Sequence, residues 1–399
     1  MKNIIIFDDP AMHMNLLPIT YTRPVSYIRV GITTIYEKWQ YFIPDAGFST
    51  LVDPYLMKKF PTTITDENYF IAGHIYPCDA LIEAIFRLDK GEALISPSEQ
   101  LIAFHGTMED FDKKRFSASV KYGEEPKQLH WLYDIFLHND EQLNLDFRRL
   151  TAGRKSQSLS PTNRLIGDHE FDDGTSRYFI EEGATIEGAI INVTNGPIYI
   201  GRDATIMEGS CIRAPFAACE HSQVNMGAKI YGATTLGPYC KVGGELNNVV
   251  MMGYSNKAHD GFLGNAVIGE WCNLGGGTTA SNLKNDYTEI KLWNYPAHRF
   301  LKTGLQFCGL IMGDHSKAGI NCMFNTATVI GVGVNIHGAG FPRNFVASFS
   351  EGSTAGFTDV PMTKFFETAK RVMARRHVEL SDIDKDIFLA IQSIAESYK

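Results

Sequence analysis

Between Ile200 and Val242 the chain reads IGRDATIMEGSCIRAPFAACEHSQVNMGAKIYGATTLGPYCKV, and every sixth residue is apolar: Ile200, Ile206, Ile212, Ala218, Val224, Ile230, Leu236 and Val242. A period of six is neither the 3.6 of a helix nor the 2 of a half-buried strand. Six residues cannot bury themselves, so such units must stack, and hexapeptide repeats stack as a parallel β-helix. One inward residue per hexad gives three short walls per coil and a triangular prism. At the strand spacing of ~4.8 Å per coil, residues 179 to 345 predict a prism roughly 40 Å long.

The interval returns at Phe262, Ile268, Leu274 and Ala280, and again at Met312, Ala318, Phe324, Ile330 and Ile336. Two slips of phase separate these runs, and a loop is expected to leave the prism at each. The second slip contains Asn282 to Phe300, polar and aromatic, which reads as a protruding loop of the kind on which solenoids carry binding groups. Glycines such as Gly209, Gly227 and Gly333 are expected at the tight corners.

The 399 residues exceed one ordinary core and predict two or three domains. Residues 1–167 alternate short apolar runs (Ile4 to Phe7, Tyr69 to Ala72) with helical patterns (Asp79 to Leu88, His130 to Leu150), as in an α/β layer domain. The polar stretch Thr151 to Thr175 reads as a linker. Residues 176–358 form the solenoid, and 359–399 a helical tail in which Ser381 and Asp384 have the spacing of a capping box.

A net charge of −8, with acids and bases interspersed, argues against nucleic acid as a partner. No apolar run approaches a membrane span and no signal segment opens the chain, so no membrane partner is expected and the expected location is the cytoplasm. Seven cysteines without a C-x-x-C pair suggest neither a zinc site nor a disulfide framework.

The stretch Lys257 to Thr279, KAHDGFLGNAVIGEWCNLGGGTT, continuing to Ser281 and Asn282, resembles the acetyltransferase segment of the bifunctional N-acetylglucosamine-1-phosphate uridylyltransferase/glucosamine-1-phosphate acetyltransferase family. It also resembles archaeal sugar-1-phosphate nucleotidylyltransferases. Met312 to Asn321, MGDHSKAGIN, is similar to their closing coils. With Asn15 to Thr20 (NLLPIT), Thr22 to Pro24 (TRP) and Arg29 to Thr33 (RVGIT), the whole chain resembles the variant branch of that family known from Bacteroidetes-type bacteria.

The resemblance implies a left-handed β-helix behind an N-terminal nucleotidylyltransferase-like domain, a homotrimer, and acetyl-CoA as co-substrate. It also implies Mg²⁺ for nucleotidylyl transfer, and a sugar 1-phosphate and a nucleoside triphosphate as substrates. Amine acetylation needs a base of near-neutral pKa, for which His259 is the candidate. It also needs oxyanion donors, here the Gly275, Gly276 and Gly277 backbone. Asn273 and Asn282 match the family's asparagines and are expected to orient sugar and acetyl group. Lys229 falls near one of the basic positions for the sugar phosphate, and Lys317 and Arg343 are candidates for a coenzyme A phosphate.

In the N-terminal part Arg23 and Arg29 are the candidate substrate cations, and Asp8 and Asp9 the candidate metal ligands. The family's Gly-rich loop after the first strand is missing: Asp8-Asp9-Pro10 stands there, and the first glycine is Gly31. Phe262 replaces the family's Tyr. The leading expectation is a sugar-1-phosphate nucleotidylyltransferase/amino-sugar-phosphate N-acetyltransferase of UDP-GlcNAc-type nucleotide-sugar supply for the cell envelope. The alternatives are a monofunctional thymidylyl- or uridylyltransferase whose β-helix oligomerises, and a non-catalytic ligand-binding trimeric scaffold.

Overall fold

A computed structural model describes residues 2–399. The chain opens into a six-stranded mixed sheet ordered Gly47–Leu51, Asn3–Phe7, Asn68–Ala72, Leu101–Gly106, Glu92–Ile95, Ala118–Lys121. Asn3–Phe7 and Asn68–Ala72 pair in parallel and are buried throughout, which accounts for their continuous rather than alternating apolar runs. The Ile35–Phe42 helix starts from a complete capping box between Thr34 and Glu37. The helical pattern of His130 to Leu150 resolves into two pieces, Asp134–Leu137 and Asn139–Thr151.

Next comes the parallel β-helix that the period of six demands. Ile206 pairs with Val224 and Val224 with Val242, each eighteen residues on. The interior is an apolar column in which Ile200, Ile212, Ile230 and Leu236 are at most 2% exposed. Thr151 to Thr175, expected to link, instead contributes the first rung: Arg164–Ile166 pairs with Ile190–Asn192.

The first phase slip is a shortened coil, with no loop leaving the prism. Val242 pairs with Lys257, fifteen residues on, and Leu246 pairs with Leu263. Leu263, fully buried, is therefore the inward residue and Phe262 is not, while Lys257 occupies an interior position at 1% exposure. The second slip is a true insertion: Ile268 pairs with Met312. It forms the hairpin Lys291–Asn294/Arg299–Lys302 and folds back instead of protruding. Buried Tyr295 packs edge-on against Tyr21 at 5.8 Å and Tyr398 at 4.9 Å, because its aromatic residues find partners in the N-terminal domain and the tail.

Not every corner uses glycine. His221, Tyr239, Tyr254, Trp271 and His315 all hold left-handed φ between 54° and 61° and form a ladder along one edge. Their successive ring centroids are 4.6, 5.2, 4.1 and 6.0 Å apart. Stacking offsets a backbone conformation that costs non-glycine residues about 1–2 kcal/mol each.

The tail forms the helices Met362–Ala374 and Asp382–Ala395, the second with the Ser381/Asp384 capping box. It lies across the junction, with ion pairs from Lys58 to Asp386 (2.9 Å) and Lys59 to Asp384 (2.8 Å), and with Phe388 against the His315 ring.

Candidate functional site

His259 lies on the corner Ala258–Gly261, between the wall of Asn256–Lys257 and the wall that begins at Phe262. Three consecutive carbonyls of this corner each hold a separate donor. Ala258 O accepts from Asn225 Nδ2 (2.7 Å), His259 O from Lys257 Nζ (2.6 Å) and Asp260 O from the Gly277 amide (2.9 Å). Gly244 beneath, at φ +72°, has no room for a Cβ, which would stand 2.8 Å from His259 O. The backbone is therefore fixed while the His259 side chain is exposed.

The next corner, Gly275-Gly276-Gly277, stacks directly on this one. A Cβ built at Gly276 would be 3.6 Å from the His259 Cβ, so glycine leaves that side of the histidine uncovered. Of the three amides expected as oxyanion donors, two are used within the solenoid. The Gly275 N–H donates to Ala318 O and the Gly277 N–H to Asp260 O, both at 2.9 Å, because rung-to-rung pairing claims them. Among the described residues only the Gly276 N–H is left without a backbone acceptor.

Asn273 is exposed on the wall entering this corner, in register with Asn256 and Lys317. Asn282, at the end of the wall leaving it, donates from Nδ2 to Asn265 Oδ1 at 2.8 Å beside Gly264. The two asparagines flank the histidine corner from either side.

Lys317 is half-buried and its ammonium is engaged within the solenoid rather than free for a phosphate. Its ammonium donates to Trp271 O (2.8 Å) and His315 O (2.9 Å), and burial pushes it down to about 8. Arg343 is exposed between the Asn335–Ile336 and Phe345–Val346 strands. Lys229 is exposed on the Cys211/Lys229 side of the prism, lining an apolar groove of about 540 Å³ with Ile190 and Tyr231.

Arg23 and Arg29 meet in a cavity of about 680 Å³ lined by the N-terminal domain, the aromatic ladder and the tail. Tyr27, Tyr36, Tyr254 and Trp271 line it, together with Glu37, Glu270, Asp384 and Lys59. The Arg23 charge is already matched: Nη2 lies 2.5 Å from Asp314 Oδ2 and 3.3 Å from Glu270. Burial alone would lower its pKa, and the two carboxylates more than offset this and raise it. Arg29 donates to the carbonyls of Ile32 and Met252 and faces Glu37 at 4.0 Å. Both arginines build the wall of the cavity, since buried guanidinium groups must be partnered.

The aspartates expected to hold Mg²⁺ do not fit that task. Asp8 is buried; one oxygen bonds His13 Nδ1 at 2.9 Å, the other accepts the Val25 amide, and burial raises its pKa. Asp9 caps the Pro10–Asn15 helix, accepting from the Ala11 and Met12 amides. At the end of Asn68–Ala72 stands buried His74, pushed by burial down to about 4. Among the described residues no group of three or more His, Cys, Asp or Glu gathers to hold a metal.

Sequence reasoning missed Lys257, Glu270, Trp271 and Asp314. Only Lys257 had a signal: with a fifteen-residue coil it falls in the column of Val242.

Residues 4–155 match the sugar nucleotidyl transferase family model. The bifunctional sugar-1-phosphate nucleotidylyltransferase/acetyltransferase of Sulfurisphaera tokodaii is 29% identical over 144 residues, covering 36% of this chain and 35% of that protein. The bifunctional protein GlmU of Trichodesmium erythraeum is 24% identical over 140 residues (35% and 25%), and that of Methanocaldococcus jannaschii 31% over 87 residues (22% and 21%). The chain thus matches about a third or less of the length of these curated relatives. Among solved structures, UDP-N-acetylglucosamine acyltransferase from Campylobacter jejuni aligns over 58% of this chain and 94% of its own at 12% identity and TM-score 0.24. The Arabidopsis enzyme aligns over 60% and 95% at 11% identity and TM-score 0.25.

Proposed function

We propose that this chain is a bifunctional transferase of nucleotide-sugar biosynthesis. In this reading a sugar-1-phosphate nucleotidylyltransferase domain is joined to an acetyl-CoA-dependent N-acetyltransferase solenoid. The observation that carries the acetyl-transfer half is the His259 corner: an exposed imidazole on a pinned backbone, beneath a glycine whose N–H has no internal acceptor.

There His259 takes the proton from the ammonium of an amino-sugar phosphate, and the freed nitrogen attacks the thioester carbonyl. The Gly276 N–H meets the developing oxyanion. Collapse breaks the C–S bond, and the coenzyme A thiolate leaves and takes up a proton. Asn273 and Asn282 hold the acceptor and the acetyl group on either side.

The nucleotidylyl half rests on the family match of residues 4–155. The cavity behind Arg23 and Arg29 supports sugar-nucleotide binding there by size and aromatic lining. No step is assigned to Mg²⁺, because Asp8 and Asp9 are engaged elsewhere. The apolar groove beside Lys229 supports assembly as a homotrimer, and the work of the enzyme belongs to envelope precursor supply in the cytoplasm. We take 1–167, 176–358 and 359–399 as the functional division of the chain, with Arg164–Ile166 at the edge of the first part packed as the first rung of the solenoid.

The test is paired. Acetyl-CoA is supplied with a panel of amino-sugar phosphates while free thiol is followed, and pyrophosphate exchange is measured with each nucleoside triphosphate. Thiol release that depends on an amino sugar supports the solenoid reading; its absence across the panel, with exchange intact, leaves the monofunctional alternative.

A further inference from the structure

Lys257 places an ammonium in an inward column of the solenoid that its neighbours Val242 and Leu274 fill with aliphatic side chains. It is 1% exposed and stands in register above Val242; its neighbour Asn256 pairs with Asn273, which places Leu274 in the same inward column. An aliphatic residue there would cost nothing in desolvation, whereas a buried ammonium does. Burial pushes Lys257 down to about 8, against the opposing pull of Asp260. A charge held at such a cost in a repeat that has no structural need of it asks for another explanation.

Its hydrogen bonds supply one. Nζ donates to Gly243 O at 3.2 Å in the rung below and to His259 O at 2.6 Å in its own corner. The His259 ring has no hydrogen-bond partner among the described residues. Its direction is therefore inherited from its own backbone and from the glycine corner above. Of the three donors pinning residues 258 to 260, only the one on His259 is charged. Charge-assisted bonds are shorter and stronger than neutral ones.

We propose that Lys257 is a positioning residue for His259: from inside the prism its ammonium locks the corner carbonyl and so sets the direction of the imidazole. The inference rests on the reading of His259 as the acetyl-transfer base. Misdirecting a base lowers the rate of the chemical step and leaves binding of the co-substrate unchanged.

The experiment compares Lys257→Met, Lys257→Arg and His259→Ala in the full chain, with kcat, KM for acetyl-CoA and melting temperature as readouts. Lys257→Met is expected to melt at or above the parent temperature, keep KM within about twofold and lose about tenfold in kcat. Lys257→Arg, which keeps a cationic donor, is expected to retain kcat within about threefold. Should the Met variant melt early, Lys257→Leu, matching Leu274, carries the same test.

A Met or Leu variant with full kcat, or an Arg variant as slow as Met, overturns the role of Lys257 while a dead His259→Ala leaves the base assignment standing. An active His259→Ala overturns both. Loss of kcat and a rise in KM together would also count against it, since a merely structural residue produces that pattern.

Discussion

Asp314→Ala tests how the N-terminal domain is held to the solenoid. Asp314 is 3% exposed and accepts from Thr22 Oγ1 at 2.6 Å, Arg23 Nη2 at 2.5 Å and the Glu270 amide at 2.8 Å, bridging residues far apart in the chain. Truncation leaves a buried guanidinium with Glu270, 3.3 Å away, as its remaining carboxylate. Breaking a buried pair by removing one partner costs about 3–5 kcal/mol, and the surviving Glu270 places the expected loss near 3 kcal/mol. Replacing both partners, Arg23→Met with Asp314→Leu, removes the stranded charge and is expected to recover at least half of that loss. The assay is urea denaturation of the four members of the double-mutant cycle, followed by near-ultraviolet circular dichroism. A loss below about 1 kcal/mol for Asp314→Ala, or simple additivity in the cycle, would refute the argument that this pair is the joint.

Asp146→Ala removes the acceptor shared by the Ile32 and Thr33 amides, Lys38 and Arg149; it strands a buried ammonium and is expected to cost about 3–5 kcal/mol in the same assay. Lys317→Met should change how stability depends on pH. Desolvation pushes the folded ammonium down to about 8 from its ordinary 10.5, so between these values unfolding takes up a proton and the parent gains stability with rising pH. The variant lacks that increment, which denaturation at pH 8 and pH 10 will measure. Gly261→Ala, at φ +122° with its Cβ meeting Thr278 O at 2.0 Å, should destabilise the fold by at least about 2 kcal/mol. Gly276→Ala, whose Cβ would meet His259 at an ordinary 3.6 Å, should melt like the parent and lose acetyl transfer alone.

The architecture was legible because one inward residue per hexad has no other solution. Ile206, Val224 and Val242 name their own register before any coordinate is known. What misled was the assumption of constant coil length. A fifteen-residue coil shifts the interior from Phe262 to Leu263 and admits Lys257, and no periodic rule distinguishes a shortened coil from an expelled loop. The aromatic corners were hidden for a related reason: left-handed φ is ordinarily read from glycine, whereas Tyr254 and Trp271 reach it by stacking.

At the site, motif spacing brought His259, Asn273 and Asn282 together around two stacked corners, since Asn273 lies on the wall entering the glycine corner and Asn282 just past the wall leaving it. It failed for groups whose role is fixed by distant partners. Asp8 needs the Val25 amide, Lys317 needs the Trp271 carbonyl, and Arg23 needs Asp314 nearly three hundred residues away. Hydrogen-bond satisfaction at that range leaves no local trace in the sequence.

In the proposed acetyl transfer the His259 imidazole, on its pinned corner, is the base that deprotonates the amine. This role is tested most directly by single-turnover acetylation with saturating acetyl-CoA and amino-sugar phosphate in His259→Ala, beside the parent protein. The expected result is a loss of at least about a hundredfold in the chemical step with an unchanged melting temperature. Acetylation at the parent rate in a folded variant would contradict it.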